Sequence, residues 1–185
     1  GLTGADVNDS DFGFGLCATA LAGSATISVD HIRMRVWYTP TAVPEVIPGK
    51  IGQALSYNGS VDWTKFGNVG AFNTSSVWMN VATDTTSHQI FDVDGTDKIE
   101  LNGSSIVTAT SFPAATVYVN GSTATQDIEK KEWYHVVITD STGVTGSQFG
   151  TATTTNFFGG KLDDIRIYNR VLSTNEVERL YQLGN

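Results

Sequence analysis

From Gly49 onward the chain is a succession of short runs in which apolar and polar residues alternate, the period of two expected of strands with one buried face. Gly52–Tyr57, Gly67–Phe72, Val77–Ala82, Gln89–Val93, Lys98–Leu101, Ser105–Thr110, Thr116–Val119, Trp133–Thr139 and Lys161–Tyr168 all read this way. Asn58-Gly59, Asp94-Gly95, Asn102-Gly103 and Asn120-Gly121 punctuate them with Asx-Gly pairs that suit tight turns of positive φ. Short strands at such spacing predict a sandwich or barrel. One segment departs from this period. Ser173-Thr174-Asn175-Glu176 has the form of a capping box, and Leu172 and Val177 have the spacing of a hydrophobic staple. Val177, Leu180 and Tyr181 make an apolar stripe and Gly184 can end it, so one short helix is predicted after the last strand.

The pattern before Gly49 is different. Asp11 to Leu21 and Ala25 to Tyr38 read as two strands around Ala22-Gly23-Ser24. Two strands do not make an independent domain. Residues 1–40 therefore read as a β-hairpin closing a preceding β-sandwich, or as a hairpin that pairs with the following domain or with another subunit. Thr39–Gly49 holds three of the four prolines, and residues 41–48 read as a proline-rich, semi-rigid linker. Residues 49–185 then form the main domain.

Composition narrows the function. With 40% hydrophobic and 16% charged residues, the 185-residue chain is globular rather than disordered. Its net charge of -8, with only 11 Lys and Arg, leaves no basic face for a phosphate backbone, which excludes nucleic acid as a partner. No apolar run approaches the ~18 residues of a membrane span. The single cysteine, Cys17, cannot form an intrachain disulfide; it reads as a small buried hydrophobe or a free thiol. If the protein is exported, its signal lies upstream of Gly1.

Four ordered blocks carry a family resemblance. Gly160-Lys161-Leu162-Asp163-Asp164-Ile165-Arg166-Ile167-Tyr168-Asn169-Arg170-Val171-Leu172-Ser173, with Glu176-Val177 and Leu180-Tyr181, resembles the final strand and helix of laminin-G-like domains. Gly49-Lys50-Ile51-Gly52-Gln53-Ala54-Leu55-Ser56-Tyr57-Asn58-Gly59 is similar to the family's opening strand. Trp133-Tyr134-His135-Val136-Val137 resembles its central strand, and Val117-Tyr118-Val119-Asn120-Gly121 the hairpin before it. The resemblance, to the laminin-G-like group of the concanavalin-A-like lectin and glucanase superfamily, covers nearly all of residues 49–185. It implies an antiparallel jelly-roll β-sandwich. It also implies binding of carbohydrate, protein or surface polymer outside the cell, in some members with a structural Ca²⁺. Fold analogy alone does not assign a function.

Candidate chemistry is sparse. Alternation places Asp163 on the inward face with Ile165 and Ile167, and an inward carboxylate needs a metal ion or a set of hydrogen bonds. Asp163 is therefore either a Ca²⁺ ligand or an acceptor for loop amides. Asp92, Asp94 and Asp97 mimic a calcium loop superficially but fit a hairpin turn better. Trp63, Trp78 and Tyr118, with Trp37 and Tyr57, are candidates for a sugar-stacking platform, against the ordinary role of aromatics as core. His135 alternates with Trp133 and Val137 as a satisfied histidine would, and His31 and His88 sit in polar sequence without a partner at metal-ligand spacing. None of the six glutamates falls in the Glu-x-Asp-x-x-Glu pattern of jelly-roll glucanases, and no catalytic residues are assigned. The expectation is a non-catalytic binding or adhesion module of an exported, extracellular or cell-surface protein, taking carbohydrate or a surface polymer. The alternative is a structural subunit of a filament, sheath, fibre or capsid that joins copies of itself through edge strands.

Overall fold

The computed structural model describes residues 44–82, 88–147, 149–151 and 156–185, all within the unit Thr41–Asn185 into which the chain divides after Pro40. The hairpin expected over residues 1–40, with Cys17, His31 and Trp37, lies outside the described residues. The elements are β1 (Glu45–Pro48), β2 (Gln53–Asn58), β3 (Lys65–Gly67), β4 (Gly70–Val81), β5 (Gln89–Asp92), β6 (Lys98–Leu101), β7 (Val107–Thr110), β8 (Ala115–Val119), β9 (Trp133–Gly146), β10 (Phe149–Gly150), β11 (Gly159–Tyr168) and the helix α1 (Thr174–Gln182).

They form an antiparallel β-sandwich, with a six-stranded sheet in the order β1-β2-β11-β4-β9-β8 and a five-stranded sheet in the order β3-β10-β5-β6-β7. The chain passes repeatedly from one sheet to the other, in the manner of a jelly roll. Alternation makes this possible, because each strand offers one apolar face to the space between the sheets. Phe72, Met79 and Val81 of β4, Val136 and Ile138 of β9, Phe91 of β5 and Ile99 and Leu101 of β6 meet there in one core. Fully burying such side chains contributes about 1.5–3 kcal/mol each.

The capped segment is a helix as expected. The Glu176 carboxylate accepts hydrogen bonds from the Ser173 backbone N–H at 2.9 Å and the Ser173 hydroxyl at 2.8 Å. Leu172 and Val177 are both buried, packed with Tyr118 and Val137 on the outer face of the six-stranded sheet. Two details depart from the sequence reading. Part of the supposed linker is strand: Glu45–Pro48 pairs with Gln53–Ser56 along the free edge of the six-stranded sheet. Proline is compatible with an edge strand, because its missing donor can face away from the ladder. The runs placed at residues 67–72 and 77–82 are joined, moreover, in one long β4 that takes in half of the first and most of the second.

Candidate functional site

The two outer faces of the sandwich differ in accessibility. On the six-stranded sheet, β4 and β9 alternate so that Ser76, Trp78, His135 and Val137 point away from the core and under α1. Tyr181 of the helix stacks on Trp78, with ring centroids 5.8 Å apart, and lies 6.3 Å from the His135 ring. Trp78 and His135 are themselves 5.1 Å apart, and the Lys50 ammonium lies 5.1 Å from the Trp78 ring centre. Trp78 is 1% exposed and Tyr118 7%. Both sequence candidates for a stacking platform are therefore packing residues, held closed by the helix.

His135 is deeply buried in this layer. Its Nε2 shares a 2.9 Å hydrogen bond with the Ser76 hydroxyl, and its Nδ1 has no hydrogen-bond partner. Burial, reinforced by the nearby Arg166 guanidinium, lowers its pKa to about 4. A buried Ser–His pair with no carboxylate on the second ring nitrogen is not assembled as a nucleophile and base.

Asp163 corrects the alternation argument. A register shift between Asp163 and Arg166, with Asp164 at φ 47°, reverses the parity of β11. Asp163 therefore lies opposite Trp78, on the outer face and not the inner one. Its Oδ2 accepts the Ile51 N–H and its Oδ1 the Asp164 N–H, each at 2.7 Å, while Asp164 pairs with Arg166 at 2.9 Å. The carboxylate staples the turn before β2 to β11. Among the described residues, no group of three His, Cys, Asp or Glu side chains comes together. The Asp92–Asp97 segment is a turn in the same sense: Asp92 Oδ1 accepts the Gly95 N–H, and Asp94 Oδ1 accepts those of Thr96 and Asp97. His88, expected in polar surroundings, is instead buried, with Nδ1 3.0 Å from the Phe157 carbonyl oxygen and its ring edge-on to Phe158.

The five-stranded sheet leaves its outer face uncovered by any described helix. Phe91, Ile99, Leu101 and Val107 turn inward, so alternation sends Asp92, Lys98, Glu100, Thr108 and Thr110 outward. Cross-strand pairing aligns Lys65, Gly150, Asp92, Lys98 and Thr110 in one row across the strands. Four interstrand steps of about 4.8 Å make this row roughly 19 Å long. Lys98 and Glu100 form a 3.0 Å ion pair, and the Thr110 hydroxyl donates to Glu100 at 2.9 Å.

Trp63 stands at one end of this row, 38% exposed. The loop that carries it is stiff, because the Asn58 side-chain oxygen accepts the backbone N–H groups of Ser60, Val61 and Asp62. Thr64 then joins the sheet: its N–H donates to the Thr151 hydroxyl, and its carbonyl accepts the Thr151 N–H, both at 2.9 Å. The Tyr57 phenol donates to the Thr64 hydroxyl at 3.0 Å, which turns Thr64 toward the core. Alternation about Thr64 sends Trp63 and Lys65 to the solvent side. Of the four aromatic candidates among the described residues, Tyr57, Trp63, Trp78 and Tyr118, Trp63 alone is placed where a ligand can reach it.

The comparisons with known proteins agree with this architecture. No protein-family profile matches the chain, and no curated protein matches it. Among solved structures it is similar to domain 4 of AbnA, a GH43 extracellular arabinanase from Geobacillus stearothermophilus, in complex with arabinotriose. The likeness covers 76% of this chain and 82% of that one, with a TM-score of 0.55 and 20% identity. At that identity it establishes the fold alone, a β-sandwich. Among the described residues, no helix is long and apolar enough to cross a membrane.

Proposed function

We propose that the chain is a non-catalytic carbohydrate-binding module whose binding surface is the outer face of the five-stranded sheet. The observation that carries this is Trp63, an exposed indole held by a hydrogen-bonded loop at the end of a row of acceptors and donors. A sugar ring offers an apolar C–H face and a rim of hydroxyls. An indole covers the first, and Asp92, Lys98, Glu100, Thr108 and Thr110 are matched to the second. The sandwich shared with an arabinanase domain solved with arabinotriose supports the reading, as does the laminin-G-like character of the ordered sequence blocks. A place outside the cell fits the same reading, since polymers of this kind are met there.

A glycan array probed with the wild type and with Trp63→Ala tests it. Retention of at least one glycan class is expected, with at least a tenfold loss in the variant, or about 1.4 kcal/mol. Because Trp63 is partly exposed, the variant's melting temperature should stay close to that of the wild type. Failure of the wild type to retain any glycan, or equal retention by a folded Trp63→Ala, removes the proposal.

A further inference from the structure

The charge on this face narrows the ligand class, on the premise that the proposed surface is the binding site. We infer that the surface takes a neutral glycan, lying across the strands from Trp63 toward Thr110, and does not take a polyanionic one.

Three observations lead there. First, the face is balanced in charge: Lys65, Lys98 and Asp92 of the row stand with Glu100 beside it, and the Lys98–Glu100 pair is already closed at 3.0 Å. Around it the signs are negative, with Asp62 beside Trp63 and Asp94 and Asp97 in the turn after β5, in a chain of net charge -8. A polyanion meets repulsion from both the rim and the molecule as a whole. Second, the carboxylates are already engaged in hydrogen bonds or in the ion pair. Asp62 accepts the Asn58 N–H, Asp92 the Gly95 N–H, and Glu100 the Thr110 hydroxyl and Lys98. What these groups retain is the capacity to exchange further hydrogen bonds with hydroxyls, the commonest polar group of a neutral sugar. Third, the row has a low point. Gly150 carries no side chain and lies between Lys65 and Asp92, where a ring can approach the sheet closely.

The inference is tested by measuring binding of arabinan, xylan and β-glucan fragments, polygalacturonate and heparin at about 0.01 M and about 1 M salt, where the Debye length falls from ~30 Å to ~3 Å. A neutral fragment should bind with an affinity that changes by less than roughly twofold between the two salts and is lost in Trp63→Ala. Polygalacturonate and heparin should bind at least about tenfold more weakly at low salt. Preference for either polyanion that is salt-sensitive and Trp63-dependent overturns the inference while leaving the binding surface in place. Neutral binding indifferent to Trp63→Ala overturns both the inference and the location of the site. Absence of binding by all five probes overturns the inference and points back to the proposed function, which the wider glycan array then decides.

Discussion

At the scale of single residues, His135 gives the fold a defined response to acid. Its imidazole stays neutral inside the layer between Trp78 and Tyr181, with a pKa lowered from 6.5 to about 4 by burial and by Arg166. Unfolding returns it to the ordinary value, so the unfolded chain binds the proton more readily. Stability from this group is complete above pH 6.5, falls as pH drops toward 4, and is flat below. At about 1.4 kcal/mol for each pH unit, the total is about 3 kcal/mol. Denaturant titrations at a series of pH values should show this loss in the wild type and a much shallower one between pH 6.5 and 4 in His135→Gln. An equal acid slope in the two proteins would rule the assignment out. Asp163 acts by a different route. Replacing it with Ala leaves the Ile51 and Asp164 N–H groups without their acceptor, a loss of about 1–3 kcal/mol. Calorimetry should show the same melting temperature for the wild type in calcium and in chelator, and a calcium-dependent rise would restore the metal reading.

At the scale of elements, β11 shows where sequence patterns stop being sufficient. Its extent and its place beside the closing helix were legible, since Ile165 and Ile167 alternate as strand residues do. The shift at Asp164 was not, because a one-residue bulge leaves composition intact while it reverses every later side chain. Asp163 was for that reason assigned to the wrong face. The proline-rich stretch misled for a related reason: proline disfavours an interior strand, and nothing local announces that Glu45–Pro48 runs along an edge. Capping chemistry, by contrast, is local, and α1 followed from Leu172, Ser173, Glu176 and Val177 alone. The tight fit of β11 to β4 carries its own prediction. Gly160 has φ 153°, and a Cβ there would come within 2.2 Å of the Asn80 carbonyl oxygen and 3.0 Å of Val81 Cα. Gly160→Ala should destabilise the protein by about 2–3 kcal/mol, in the range of overpacked cores, as read from the denaturation midpoint; an unchanged midpoint would show that β4 and β11 can part at no cost.

At the scale of the whole molecule, the helix covers the outer face of one sheet, and no described helix covers that of the other. The six-stranded sheet spends its outward aromatics, Trp78 and Tyr118, on holding α1. The five-stranded sheet keeps a polar outward face and sets Trp63 at its border. Sequence reading brought Trp63 forward together with Trp78 and Tyr118, without distinguishing them, because exposure depends on which sheet the helix covers. The outward row of Lys65, Asp92, Lys98 and Thr110, with Glu100 beside it, was missed altogether. Alternation within β6 and β7 hinted at it, but only the cross-strand register joins residues so far apart in the chain. The central claim, that this row with Trp63 is the binding surface, is tested most directly by amide and indole NMR shifts during titration with the best-retained glycan. Shifts concentrated at Trp63, Lys65, Asp92, Lys98, Glu100 and Thr110 are predicted, with the Trp78 indole and α1 unmoved. Shifts centred on α1 and the Trp78 layer, with Trp63 silent, would contradict it.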